Sequence, residues 1–329
     1  MKLLNGIIAI LAACVLTATA FAASANVDRE TLIEAHSALQ AGEASKALNL
    51  LQAIPESGPQ AASAQNLKCR VRYMLQQWSA AAKACTQAVK MDGQNSNYHL
   101  WLGRALGEEA RSASFLSAFS LGKQVRVEFQ TAVRLDPRNG AALSALGEFY
   151  VDAPSFMGGG LDKAGSVAQE LDRVDPVRAA VLRARIAMAR KDYGTAEGYF
   201  KEAIADSEHP SRQWATLASF YRRQKQWQQM EWAVRNCAEA AARDPQAGVA
   251  LFNGASVLIE AKQDPALAAQ MLEDYLASPS KTEEGPAFVA HRWLARLKAQ
   301  LGDAEGAQQE EAAAKALAGE YLPHKDSRN

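Results

Sequence analysis

Cys69 and Cys85 are the two residues of this chain whose type and spacing most directly suggest chemistry. Two thiols this close in sequence can close a short loop as a disulfide, provided that the compartment is oxidising. The arginines form a second group. Arg70, Arg104, Arg185, Arg222, Arg223 and Arg296 are spread along the chain, and the planar fork of each guanidinium matches a carboxylate bidentately. Catalytic patterns are missing. The histidines His36, His99, His209, His291 and His324 are scattered, with no two at metal-ligand spacing. There is no Gly-x-Ser-x-Gly elbow, no Walker motif and no dinucleotide fingerprint. Gly158-Gly159-Gly160 is followed by no Gly-Lys-Ser/Thr, and reads as a flexible loop rather than a phosphate cradle. The expectation is binding chemistry without an enzyme activity, a cofactor or a metal.

Composition narrows the partner. The 329 residues carry no net charge, 48% apolar and 7% aromatic side chains. Balanced charge gives no reason to expect nucleic acid or an anionic membrane as the main partner. The chain opens with Lys2 and an apolar run from Leu3 to Phe21, an export-signal pattern spanning residues 1–25. Ala20-Phe21-Ala22 and Ala23-Ser24-Ala25 each offer a small-x-small cleavage site. Leu11-Ala12-Ala13-Cys14 also fits a lipoprotein box that would anchor the chain through Cys14, although the run stays apolar through Val15 and Leu16. An uncleaved anchor is the third option; every route puts the body outside the cytoplasm, with no integral membrane span once the signal is removed, leaving Cys69, Cys85 and Cys237 where disulfides persist.

The elements that must position these side chains are helix pairs. Small or medium residues recur at Ala47, Ala81, Val125, Ala164, Ala196, Met230, Ala269 and Ala307, with a base period of about 34 residues. Stops such as Met91-Asp92-Gly93, Leu135-Asp136-Pro137, Val174-Asp175-Pro176 and Asp244-Pro245 punctuate the series. One unit reads Trp214, Leu217, Ala218, Tyr221, Trp227, Cys237; another Ala184, Tyr193, Ala196, Phe200, Ala203; a third Leu294, Ala295, Gly302, Ala307, Ala314. This pattern resembles the tetratricopeptide repeat family over residues 29–318. The resemblance implies an all-α, right-handed superhelix of about eight helix-turn-helix repeats, an α-solenoid with a concave binding face. Gln308, Gln309, Glu310 and Glu311 would then give the last helix a polar face capping the open end, with residues 319–329 as a tail.

The resemblance also assigns sites. Cys69 and Cys85 lie symmetrically about Gln77, where one hairpin should turn, so they face each other either as a disulfide or as two buried thiols. Cys237 sits at a small packing position as a buried thiol. The concave face is lined by the residue after each first-helix small position: Arg70, Arg104, Glu148, Arg185, Ser219 and Arg296, with Arg222 and Arg223 one turn on. These arginines would hold a peptide by its carboxylates, or pair with acids on neighbouring helices. Insertions near residues 108–120 and 153–160 depart from the period at two within-repeat turns and should lie side by side. Phe115, Phe119, Phe156 and Met157 there form a candidate partner edge, unless they fold back over their own helices. The chain is also similar to exported bacterial tetratricopeptide proteins, including the periplasmic component of some tripartite uptake transporters. The functional expectation is therefore a periplasmic scaffold for a peptide or protein partner, with self-association open. The alternative is a solute-binding accessory of an envelope transporter.

Overall fold

The computed structural model describes residues 26–321. The segment proposed as an export signal, with Cys14, and the chain beyond 321 lie outside the described residues. Among the described residues, sixteen α-helices pair in chain order: α1–α2 (26–41, Ala44–Ala53), α3–α4 (Ala61–Met74, Trp78–Met91), α5–α6 (Ser96–Ser112, Phe115–Leu135) and α7–α8 (Gly140–Asp152, Leu161–Asp172). The second half continues as α9–α10 (Pro176–Ala189, Tyr193–Ala205), α11–α12 (Ser211–Arg223, Trp227–Ala241), α13–α14 (Gly248–Ala261, Pro265–Ala277) and α15–α16 (Ala287–Gln300, Ala304–Ala318). The chain is an all-α helical solenoid, with no strand among the described residues.

The stops work through backbone chemistry. Asn95, Asn139, Asp175, Asp192, Asp264 and Asp303 each cap the following helix by accepting a backbone N–H with the side chain. Pro176 and Pro265 occupy first-turn positions, where the missing N–H costs nothing. Within the pairs, the short turns of six repeats carry a residue in the left-handed region: Gly42, Gln76, Lys191, Lys225, Lys262 and Gly302. Only glycine takes that conformation without strain. Lys225→Gly is therefore expected to raise stability by about 1 kcal/mol, read from the midpoint of a urea titration.

The two repeats without this short turn are those with insertions. The extra residues of the third do not form an enlarged turn; they lengthen the helices, so that α6 runs 21 residues and α5 17. In the fourth, a 3-10 turn at Ser155–Met157 precedes the glycines. These are not a flexible linker. Gly158 sits at φ 97°, and a Cβ on Gly159 would lie 1.8 Å from the Ala153 carbonyl oxygen, so Gly159→Ala is expected to cost about 1–3 kcal/mol, read from the same titration.

Packing follows the small residues. Ala47, Ala81, Ala164, Ala196 and Met230 are fully buried in their second helices. In α14 the matching fourth position is Ala268, fully buried, rather than Ala269, so the sequence register slips by one there. Ala307 is half-buried.

The ends of the array meet. Ala35, Leu39, Ala47, Leu48 and Leu51 of the first pair share one apolar core with Phe288 of α15 and Ala314 and Ala318 of α16. The turn at Gly42 abuts Ala287 at the start of α15, and a 3-10 turn at Gly319–Tyr321 packs on α2. The last helix still shows solvent its polar side, with Gln308, Gln309 and Glu311 exposed. Its apolar side is not a free end but is docked on the first repeat. The solenoid closes on itself.

Candidate inner-face binding site

The first helices of the repeats place one residue each on the inner face. The small positions Ala35, Cys69, Ala184, Ala218, Ala255 and Ala295 are buried, as are Gly103 and Gly147. Small side chains at these positions let each pair approach closely. The residues that follow them are His36, Arg70, Arg104, Glu148, Arg185, Ser219, Ser256 and Arg296; of these, His36 and Arg70 line one groove and Glu148 and Arg185 another. His36 and Ser256 complete the row through first helices that match the repeat pattern less closely.

Most of these arginines meet acids or aromatic rings within the chain. Arg70 Nη2 donates to Glu283 Oε1 at 2.8 Å and its Nε to Oε2 at 2.9 Å, with both side chains largely shielded. Arg70 and Arg104 both lie against Trp101, 5.3 and 4.7 Å from its ring centre. Arg185 Nη2 donates to Asp152 at 2.9 Å, and its guanidinium stands 3.8 Å from Glu148. Arg222 pairs with Glu260 at 2.7 Å. Arg223 and Arg296 are exposed and Ser219 is half-buried.

Two open grooves run along this face. One, about 560 Å3, is lined by His36, Ser63, Asn66, Arg70, Tyr98 and Trp101 on α1, α3 and α5. Asn66 is buried, and its side-chain Nδ2 has no hydrogen-bond partner. The second, about 910 Å3, is lined by α7, α9, α11 and the start of α13, including Glu148, Arg178, Arg185 and Arg212. Nothing in the sequence pattern singled out Asn66, Trp101 or Arg212 as binding residues. Each lies on the inner side of a first helix, but away from the single position that the repeat resemblance flags.

Burial tunes two groups near the first groove. His36 is held below its ordinary 6.5, first by burial and then by the Arg70 charge, against the opposing pull of Glu283. Its ring should titrate below 6.5 by NMR. Since the folded-state value is depressed, its stabilising contribution is present above 6.5 and is lost as pH falls through that lower value. Tyr73, at the edge of α3, is pushed up to about 12 by burial and then by Glu108.

The cysteines are paired. Cys69 and Cys85 form a disulfide across α3 and α4, with Cα atoms 5.2 Å apart. Cys237 is a fully buried free thiol, raised to about 12 by burial. It should resist thiol reagents in the native protein and react only after denaturation.

At the inserted edge, Phe119 of α6 stacks on Phe156 at 6.0 Å, and Met157 packs over Gly122. The two insertions thus lie side by side. Phe119 and Met157 are half-buried by this contact, whereas Phe156 remains exposed. Phe115 and Leu116 project at the helix tip, 74% and 79% exposed.

The described histidines have structural partners. His99 contacts Glu128 at 2.6 Å and the Gly93 carbonyl at 3.2 Å; His291 contacts Glu310; His209 contacts Asp244. Among the described residues no cluster of three His, Cys, Asp or Glu is placed to hold a metal ion, and no helix is long and apolar enough to cross a membrane.

No family model matches the sequence, and no curated protein matches it. Solved structures do. A thermophilic tetratricopeptide protein of Thermus thermophilus superposes with a TM-score of 0.50 at 16% identity, covering 59% of this chain and 98% of its own. A tetratricopeptide protein of Parabacteroides merdae gives 0.45 at 13% identity over 83% of this chain and 98% of its own. The Cut9-Hcn1 assembly gives 0.47 at 18% identity over 81% of this chain and 48% of its own. The helix pairs, their buried small residues and their capped turns, together with the first of these superpositions, identify the fold of this chain as the tetratricopeptide-repeat solenoid.

Proposed function

We propose that this chain is a non-enzymatic scaffold that takes an extended segment of a partner protein along its inner face. The observation that carries this reading is Asn66. Its buried amide lines a groove and has a donor without an acceptor. A buried polar group left in that state costs about 1–3 kcal/mol, which a ligand carbonyl would recover once the amide turns its Nδ2 into the groove. Ser63, Tyr98 and Trp101 beside it supply further polar and stacking contacts. Asn66→Ala is expected to weaken binding of peptides selected from a displayed library by about ten-fold. Unchanged affinity would remove the groove's central donor from this reading. Arg104→Ala with Arg185→Ala tests the wider face, and retention of all binding would confine the site to the first groove.

The working location in this reading is the periplasm. The N-terminal signal pattern and the Cys69–Cys85 disulfide both support export, because such a bond persists in an oxidising compartment. The open shape of both grooves favours a chain segment over an enclosed small solute. Expression of the full precursor, followed by fractionation and mass measurement of the mature N-terminus, separates signal cleavage near Ala22 or Ala25 from lipidation at Cys14. The exposed pair Phe115 and Leu116, with Phe156 nearby, is a second contact region for a partner or another copy of the chain.

A further inference from the structure

The connection between α14 and α15, residues 278–286, is the longest link between helix pairs among the described residues. It reads Ser-Pro-Ser-Lys-Thr-Glu-Glu-Gly-Pro. A link of this kind needs only a few residues to join antiparallel neighbours. Its route explains the excess. Gly248 N donates to Ser280 Oγ at 3.0 Å, Lys281 Nζ to the Ser278 carbonyl at 2.7 Å, and Tyr275 Oη to the Gly285 carbonyl. These contacts tie the link's start to α13 and its end to α14.

Between the two anchors, the consecutive acids Glu283 and Glu284 both line a third cavity, of about 520 Å3, together with Tyr73, Glu108, Arg111 and Trp293. Glu283 takes the bidentate contact from Arg70 of α3, which itself lines the first groove. Glu284 accepts at 2.5 Å from Arg212 of α11, which itself lines the second groove. Other inner-face ion pairs join helices of neighbouring repeats: Arg185 to Asp152 and Glu148, and Arg222 to Glu260. This link differs from them in setting adjacent carboxylates, on backbone outside any helix, across arginines from opposite halves of the array.

We propose that residues 278–286 are a built-in stand-in ligand. The inner face accepts an extended partner segment carrying two adjacent carboxylate side chains, and that segment gains Arg70 and Arg212 by displacing the strap. This rests on the inner face being the peptide-binding surface proposed above. The strap is tethered at both ends, so its effective concentration is in the millimolar range for a short linker. An incoming segment must therefore compete with it, and the resting protein binds weakly. Arg70 stacked on Trp101 stays oriented when its carboxylate leaves, so the site is preformed.

The test compares the wild-type chain with E283Q/E284Q, which keeps the strap's shape and removes its charge. The probe is a fluorescein-labelled synthetic peptide of residues 278–286. The expected result is binding about ten-fold or more tighter to the double variant than to wild type. That gain should vanish when both glutamates of the peptide are glutamine, or when R70A is added to the double variant. A random 12-residue phage-displayed library is panned on the same two proteins. If the library yields peptides that bind both proteins while the labelled peptide shows no preference, the strap proposal is overturned and the groove stands. If neither protein enriches any peptide, both readings fall. A measurement on wild type guards against a misfolded variant. Excess labelled peptide should raise deuterium uptake across residues 278–286, and bound peptide with unchanged strap protection overturns displacement.

Discussion

Phe288→Ala is expected to destabilise the protein by about 3–5 kcal/mol, the cost of emptying a fully buried aromatic site that cannot collapse. Phe288 is 0% exposed and belongs to α15, yet its core neighbours include Leu39, Leu48 and Leu51 of the first repeat. The cavity would therefore open at the junction where the two ends of the array meet. The loss should be local in kind as well as large. Amides of α1 and α2 should lose hydrogen-exchange protection first, while α11 and α12, which draw on a separate core, keep theirs. A thermal melt with residue-resolved exchange checks both points. Loss of less than about 1 kcal/mol, or uniform loss along the chain, would mean that the ends are not joined by a packed core.

Replacement of Cys69 and Cys85 by alanine carries the second-largest effect. The bond closes a loop with a sequence separation of 16, which by the chain-entropy argument contributes about 3 kcal/mol. Both sulfurs are fully buried between α3 and α4, so alanine also leaves a small void. A urea titration of the double variant should show a midpoint lowered accordingly, and reduction of the wild-type protein should shift it in the same direction. An unchanged midpoint after verified reduction would contradict a stabilising bond.

Much of the fold was legible because the repeat writes the same rule many times. Ala81, Ala164 and Ala196 sit where close helix approach demands little volume, and Asn139, Asp175 and Asp303 sit where a helix needs a cap. Rules this local survive without knowledge of distant contacts. Register slipped at Ala269 because two alanines, Ala268 and Ala269, stand side by side, and either satisfies the demand for a small residue. Which of them faces the partner helix is decided by the start of α14 at Pro265. The insertion near Phe115 was legible as extra length but not as extra helix. A Ser-rich segment around Ser112 and Ser114 reads as turn, whereas α6 begins immediately after it at Phe115.

The candidate site was legible in part. Arg70, Arg104 and Arg185 follow from the position after each small residue; Arg70 and Arg185 line the two grooves and Arg104 lies against Trp101. The acid opposite Arg70 was not foreseen, because it depends on closure. Glu283 meets Arg70 across 213 residues of sequence, and no local pattern links the two. The docked face of α16 was hidden for the same reason. Gln308 and Glu311 announce a polar surface, while Ala314 and Ala318 on the other side of the helix find a partner only once the first repeat comes round.

Closure brings the first pair against the last and lets the strap reach arginines of both halves, so the shape of the intact chain in solution is the decisive quantity. Small-angle X-ray scattering of the monomeric protein measures it without a variant or a ligand. A compact chain of this length has a radius of gyration of about 20 Å. An open stack of eight pairs spaced by about 10 Å would extend about 80 Å and give about 26 Å or more. We predict a value near the first, with a single-peaked distance distribution. A value near the second, with the long tail of a rod, would contradict closure and the strap's contacts across it.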